Sequence, residues 1–161
     1  MAEASRHAAR PERRGGLPNA LFVAGAAQEL PGPFAGRADL VTVALPWGSL
    51  LRALLVPETD TLASLAATLA PEGELELLLS ADPHDGQARS VAAEADALEL
   101  ATCYVACGFE LEESQAATAE DVAHMSSAWG RRLGIPARRA AWLFRLSPTS
   151  LPPLARVPRA P

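Results

Sequence analysis

Short apolar runs alternate with helix-like stretches along most of this chain, and that alternation limits the folds open to it. The runs are 19–24, 40–45 (LVTVAL), 74–80 (ELELLLS), 109–117 and 138–146. Between them, Gly48 to Leu55, Glu58 to Ala70, Ala95 to Cys107 and Thr118 to Leu133 read as helices. Pro46 stops the second run, Pro71-Glu72-Gly73 stops the second helix, and Gly108 stands in a C-cap position. Thr118 with Asp121 reads as a capping box, and Glu3 to Arg10 as a short leading helix ended by Pro11. Strands alternating with helices predict an α/β fold with a mostly parallel, doubly wound sheet. Ligands of such sheets sit at the carboxyl ends of the strands. Chemistry is therefore expected just after Ala24, Leu45 and Ser80.

The chain has 161 residues, enough for one domain. Arg52 interrupts the most apolar stretch, Leu50 to Val56, so no membrane span is expected. The Arg- and Ala-rich first 14 residues lack the apolar core of a secretory signal, and a cytoplasmic protein is expected. Cys103 and Cys107 share a helix face with no second Cys or His pair nearby, which predicts buried reduced thiols and no metal site. All 14 basic residues are Arg. Residues 15–121 carry three Arg against 17 acids, while 122–161 carry seven Arg and no acid. A basic tract on an acidic body suits a phosphate backbone, although an ordinary solvated surface has the same composition.

Two aromatic sites stand out. Trp47, in Leu45-Pro46-Trp47-Gly48-Ser49, falls where a strand meets a helix. Gly48 allows close backbone approach there, and Ser49 is placed to cap the helix or hold a ligand. Trp129 precedes Arg131 and Arg132, the pairing that base stacking with phosphate contact requires. Packing alone competes as a role for Trp47. Trp142, among apolar neighbours in the last run, reads as core. His7, His84 and His124 show no catalytic or metal pattern.

The stretch Leu17 to Ala24, the segment Ala26 to Pro31, and Ala38 to Val43 running into Leu45-Pro46-Trp47-Gly48-Ser49-Leu50-Leu51-Arg52 resemble the 16S ribosomal RNA (adenine-N1) methyltransferases of aminoglycoside resistance, the kanamycin–apramycin type. The resemblance implies a class I, Rossmann-like S-adenosylmethionine-dependent methyltransferase sheet. The five runs would be its third to seventh strands, giving a partial domain over 1–146 and a Pro-rich tail over 147–161. It implies methyl transfer from S-adenosylmethionine to N1 of an adenine in the decoding site of 16S rRNA in the small ribosomal subunit, by a monomer without metal. Trp47 and Trp129 match the two tryptophans that sandwich the flipped adenine. Ala27, Gln28, Ser49 and Ser127 match positions lining the cofactor and target pocket. Arg139 matches an RNA-gripping basic residue, with Arg131, Arg132 and Arg138 assisting.

The chain departs from the family in one region. No Asp-x-Gly-x-Gly occurs, and the Gly-rich cofactor loop and the acidic residue after the second strand have no counterpart. Where the family has a Glu near the cofactor adenine, this chain has Gln28 beside Glu29. The expectation is a chain that begins in the middle of the domain and binds cofactor weakly. The alternatives are an inactive fragment that keeps RNA binding, or a methyltransferase-fold relative with another substrate.

Overall fold

The computed structural model describes residues 6, 8, 10–17, 19–30, 32–125 and 128–149. Apart from short 3₁₀ turns, the described residues form, in order, β1 (Ala38–Ala44), α1 (Gly48–Leu55), α2 (Thr59–Thr68), β2 (Leu69–Leu79), α3 (Glu94–Ala106), β3 (Phe109–Ala116), α4 (Ala119–His124), α5 (Ala128–Leu133) and β4 (Trp142–Pro148). The strands form one sheet in the order β1-β2-β4-β3.

β2 is the centre of the fold. Its Leu77-Leu78-Leu79 run is buried on both faces, as a strand covered from both sides must be. Leu75, Leu77 and Leu79 join Phe144 and Leu146 of β4 and Phe109 of β3 on one face. Onto it pack Leu51, Leu54 and Leu55 of α1, Leu62 and Leu65 of α2, and Leu100 and Tyr104 of α3. Tyr104 is fully buried, and its hydroxyl donates to the Leu54 carbonyl at 2.8 Å, satisfying an acceptor in the last turn of α1. On the other face Leu78 meets Leu45, Ala117, Val122, Ile135 and Ala141, a smaller cluster beneath α4 and the segment after α5.

Along that second face β2 and β4 set Glu76 opposite Arg145. Arg145 donates to the buried Glu76 carboxylate at 2.9 Å and also to Glu113 of β3. Both carboxylates raise its pKa above the ordinary guanidinium value. One Arg of the basic tract is thus a sheet residue paired across three strands.

The sheet is mostly parallel in direction, as expected: β1, β2 and β3 point the same way, and β4 runs antiparallel between β2 and β3. Several other expectations are corrected. The run at 19–24 forms no strand; Leu21 is 77% exposed, and Phe22 and Val23 are exposed too. A strand needs a ladder partner, and none stands beside this segment among the described residues. β1, likewise, meets only β2 among the described residues, leaving Leu40 45% exposed. β2 begins at Leu69 and passes through Pro71-Glu72-Gly73, with Glu72 at positive φ. The single helix expected over 118–133 is two, α4 and α5; the Thr118–Asp121 capping box starts the first. The last strand begins at Trp142 rather than Arg138 and runs past residue 146 into the expected tail. Cys103 is half-buried, but Cys107 lies beyond the end of α3 and is exposed. Trp142 is half-buried against the main core, in keeping with its reading as a packing residue. Of the helix expected over Glu3 to Arg10, only Arg6, Ala8 and Arg10 are described residues, the first two of them helical. No helix among the described residues is long and apolar enough to cross a membrane.

Candidate functional site

The parallel pair β1 and β2 ends at Ala44 and Leu79 on the same edge of the sheet. β4 runs the other way, so its first residue, Trp142, pairs with Leu79 at that edge. The segment leading into β4, which includes Arg139, is therefore delivered to the carboxyl ends of β1 and β2. A cleft of about 90 Å³ lies there, lined by Leu45, Pro46, Trp47, Leu51, Ser80, Asp85, Gln87, Trp129, Leu133 and Arg139.

The chain leaves β1 abruptly. Leu45 is buried and adopts φ 49°, a conformation unusual for a leucine, while its amide donates to the Leu78 carbonyl at 2.8 Å. Gly48 follows at φ 64°, where only glycine sits without strain. Two left-handed residues within four positions hold Trp47 between them as the extended N-cap of α1. Trp47 is 74% exposed. A tryptophan so placed contributes little to packing, and the competing core role falls away. Ser49 is not the helix cap, since α1 starts at Gly48; it is exposed in the first turn.

Trp129 reaches the same cleft from α5. Its ring stands edge-on to Trp47, with centroids 6.1 Å apart and planes at 87°. The Arg132 guanidinium lies 5.6 Å from the Trp129 centroid, a cation–π contact. The rings touch each other rather than flanking an open slot. A planar base between them needs one ring to turn and the pair to separate to about 7 Å, twice the carbon–carbon contact distance.

The floor is polar. Ser80, just past β2, donates to the Ala140 carbonyl at 2.6 Å and accepts from Arg139 Nε at 2.7 Å. The rest of the Arg139 guanidinium clasps both Asp85 carboxylate oxygens. That contact holds the Asp85 carboxyl below its ordinary range. Asp85 ends a single 3₁₀ turn, Pro83–Asp85, closed by reciprocal bonds between Asp82 and Asp85. Arg139 is thus a structural clamp in the cleft, whereas Arg131, Arg132 and Arg138 are exposed outside it.

The remaining expected positions do not converge here. Ala27 and Gln28 sit in a turn closed by the Ala26–Glu29 bridge, with Gln28 exposed, and neither lines the cleft. Ser127 lies outside the described residues. The half-buried Ala27, the exposed Gln28 and the exposed Ser49 give surface and no enclosure, so these residues do not by themselves fit a cofactor pocket. Conversely, Ser80, Asp85 and Gln87 are cleft residues that the sequence did not single out, although chemistry was expected just after Ser80. The Asp82-Pro83-His84-Asp85 spacing, an acid at both ends of a capping-box interval, was the available signal.

Comparison with known proteins gives a consistent picture. A family model described as NpmA: 16S rRNA (adenine(1408)-N(1))-methyltransferase matches residues 1–147. A 16S rRNA (adenine(1408)-N(1))-methyltransferase of Streptoalloteichus hindustanus is 34% identical over 139 residues, which are 83% of this chain and 64% of that protein. An rRNA methyltransferase of Saccharopolyspora hirsuta is 33% identical, over 79% of this chain and 85% of its own. Among solved structures, the 16S rRNA (adenine(1408)-N(1))-methyltransferase from Catenulisporales acidiphilia aligns with TM-score 0.76 at 28% identity, covering 94% of this chain and 73% of that one. The antibiotic-resistance methyltransferase Kmr aligns with TM-score 0.71 at 33% identity, over 94% and 72% of the two chains. The chain therefore spans a little under two thirds of the Streptoalloteichus relative.

Proposed function

Because the chain belongs to the family of 16S rRNA (adenine(1408)-N(1))-methyltransferases, with the fold of class I methyltransferases, we propose that it carries the base-receiving part of such an enzyme. Its substrate would be the decoding-site adenine of 16S rRNA in the small ribosomal subunit, in the cytoplasm, and the methylated product would confer aminoglycoside resistance. The observation that carries this reading is the meeting of Trp47 and Trp129. They are 82 positions apart in sequence, yet they meet at the carboxyl edge of the sheet with ring centroids 6.1 Å apart.

The chemistry asks little of side chains. Adenine N1 holds a lone pair and needs no general base, so a cleft without a catalytic histidine is adequate. The methyl group would come from S-adenosylmethionine, whose sulfonium makes that methyl electrophilic. The described residues do not enclose that cofactor, and the residues of this chain act on the base. Trp47 and Trp129 would take the extruded adenine between their faces and hold its plane. Arg131, Arg132 and Arg138 would meet the phosphates around it. Arg139, through Ser80 and Asp85, keeps the floor of the cleft in place.

The test is binding of the chain to a decoding-site RNA hairpin carrying either the target adenine or an abasic nucleotide there. Loss of the base should weaken binding about five- to 150-fold, one stacked base being worth roughly 1–3 kcal/mol. Equal affinity for the two hairpins would overturn the base-receiving role.

A further inference from the structure

Gln87 lines the same cleft as the two tryptophans, and its side-chain carbonyl oxygen is buried with no hydrogen-bond partner among the described residues. A buried polar atom left unpaired costs free energy, commonly recovered when a ligand arrives. The backbone around Gln87 is fixed. The 3₁₀ turn ending at Asp85 is closed by its own capping bonds, Gly86 takes φ 68°, and Arg139 pins Asp85 to Ser80. Beyond it, Arg89 is bonded to Glu99 at 2.9 Å. Gln87 thus lines the cleft from a braced loop, and the opening that admits a base between the two tryptophans also has to uncover its oxygen.

The chemistry of the proposed reaction selects which edge of adenine such a group can read. Methylation at N1 requires the Watson–Crick edge to face the donor, so recognition has to come from another edge. The N6 and N7 edge presents one donor beside one acceptor, and a glutamine carboxamide matches both at once. Guanine offers two acceptors at the same positions, O6 and N7, and would set its O6 against the Gln87 oxygen. Resting on the reading of the cleft as an adenine site, we infer that Gln87 is its specificity residue: its oxygen accepts from N6–H and its NH₂ donates to N7, leaving N1 free.

The experiment uses the full chain and three probes: adenosine 5′-monophosphate, its 7-deaza analogue (which has C–H in place of N7) and guanosine 5′-monophosphate. Binding is read by quenching of tryptophan fluorescence. The chain should prefer the adenine nucleotide about tenfold over each of the other two, as a bidentate pair provides. In Gln87→Ala both preferences should fall to about one. Gln87→Glu keeps the acceptor for N6 but loses the donor for N7. It should therefore lose the preference over the 7-deaza probe while retaining the preference over guanine. Circular dichroism melting verifies that each variant is folded. If the chain itself does not discriminate against the 7-deaza probe, the inference is overturned without recourse to any variant. If discrimination survives in Gln87→Ala while Trp47→Ala abolishes quenching, the Gln87 role is wrong and the stacking site stands. If no purine quenches, or if Trp47→Ala leaves quenching intact, the adenine site and the Gln87 role fall together.

Discussion

Trp47→Ala separates function from folding because the side chain is nearly out of the structure. Trp47 is 74% exposed, and its recorded ring contact is the edge-on meeting with Trp129. An aromatic pair is worth about 0.5–1.5 kcal/mol, and one this exposed belongs at the lower end. For a chain of this size, a loss of about 0.5 kcal/mol lowers Tm by about 1–2 °C. Removing one stacking face from a bound base costs about 1–3 kcal/mol, which is about a five- to 150-fold rise in Kd. The assay pairs a thermal melt with titration of the chain into fluorescently labelled decoding-site RNA. The expected result is an almost unchanged melt and a large loss of affinity. A fall in Tm of more than about 5 °C, well above that estimate, would show that Trp47 is a packing residue. Unchanged RNA affinity in a folded variant would show that the ring receives no base.

Four further outcomes follow from the contacts. Tyr104→Phe should cost roughly 1–3 kcal/mol by stranding the buried Leu54 carbonyl, read as a lower urea midpoint with unchanged slope. Arg145→Met should destabilise by about 3 kcal/mol because it leaves the buried Glu76 carboxylate without its counter-charge, and adding Glu76→Gln should recover much of that in the same denaturation assay. Arg139 depresses the Asp85 pKa, so the stabilisation from that pair is complete above the unfolded value of about 3.9 and is lost as pH falls through the lower folded value. Tryptophan fluorescence should therefore stay constant through the usual carboxylate range and change only below it, a transition absent in Asp85→Asn. Replacing Arg131, Arg132 and Arg138 with Gln should reduce the slope of log affinity for RNA against log salt by about 2–3, at about 0.7–0.9 per phosphate contact; an unchanged slope would place the RNA elsewhere.

The elements legible in the sequence were those whose partners are also in the described chain. LVTVAL and the helices beginning at Gly48 and Glu94 were read to within a few residues, and ELELLLS marked the buried part of β2 but not its start at Leu69, because local period and punctuation coincide with real neighbours only there. The run at 19–24 has the same local character and forms no strand, since strand formation depends on a partner that its own residues do not encode. The split of the helix expected over 118–133 was hidden because the Thr118–Asp121 box announces a start and nothing announces a stop at His124. Trp47 was legible because a proline, a glycine and a strand end mark its position. Gln87 was not, because a lone glutamine in a polar stretch carries no pattern until the fold places it in one cleft with Trp47 and Trp129.

Strand direction accounts for most of what remained hidden. Had β4 run parallel to β2, the residues before it would have emerged at the amino edge, far from Trp47. Its antiparallel course delivers Arg139 to the carboxyl edge, and pairing within β4 draws Arg145 into the sheet. The basic tract that looked uniform in sequence is therefore divided by topology into three roles. Arg145 neutralises a buried acid, Arg139 braces Asp85 and Ser80, and Arg131, Arg132 and Arg138 stay exposed outside the cleft. Among the described arginines of the tract, the last group keeps its positive charge at the surface. Over the described part of the tract, net charge thus overstates the attraction of this face for a phosphate backbone, because Arg139 and Arg145 are each paired with carboxylates.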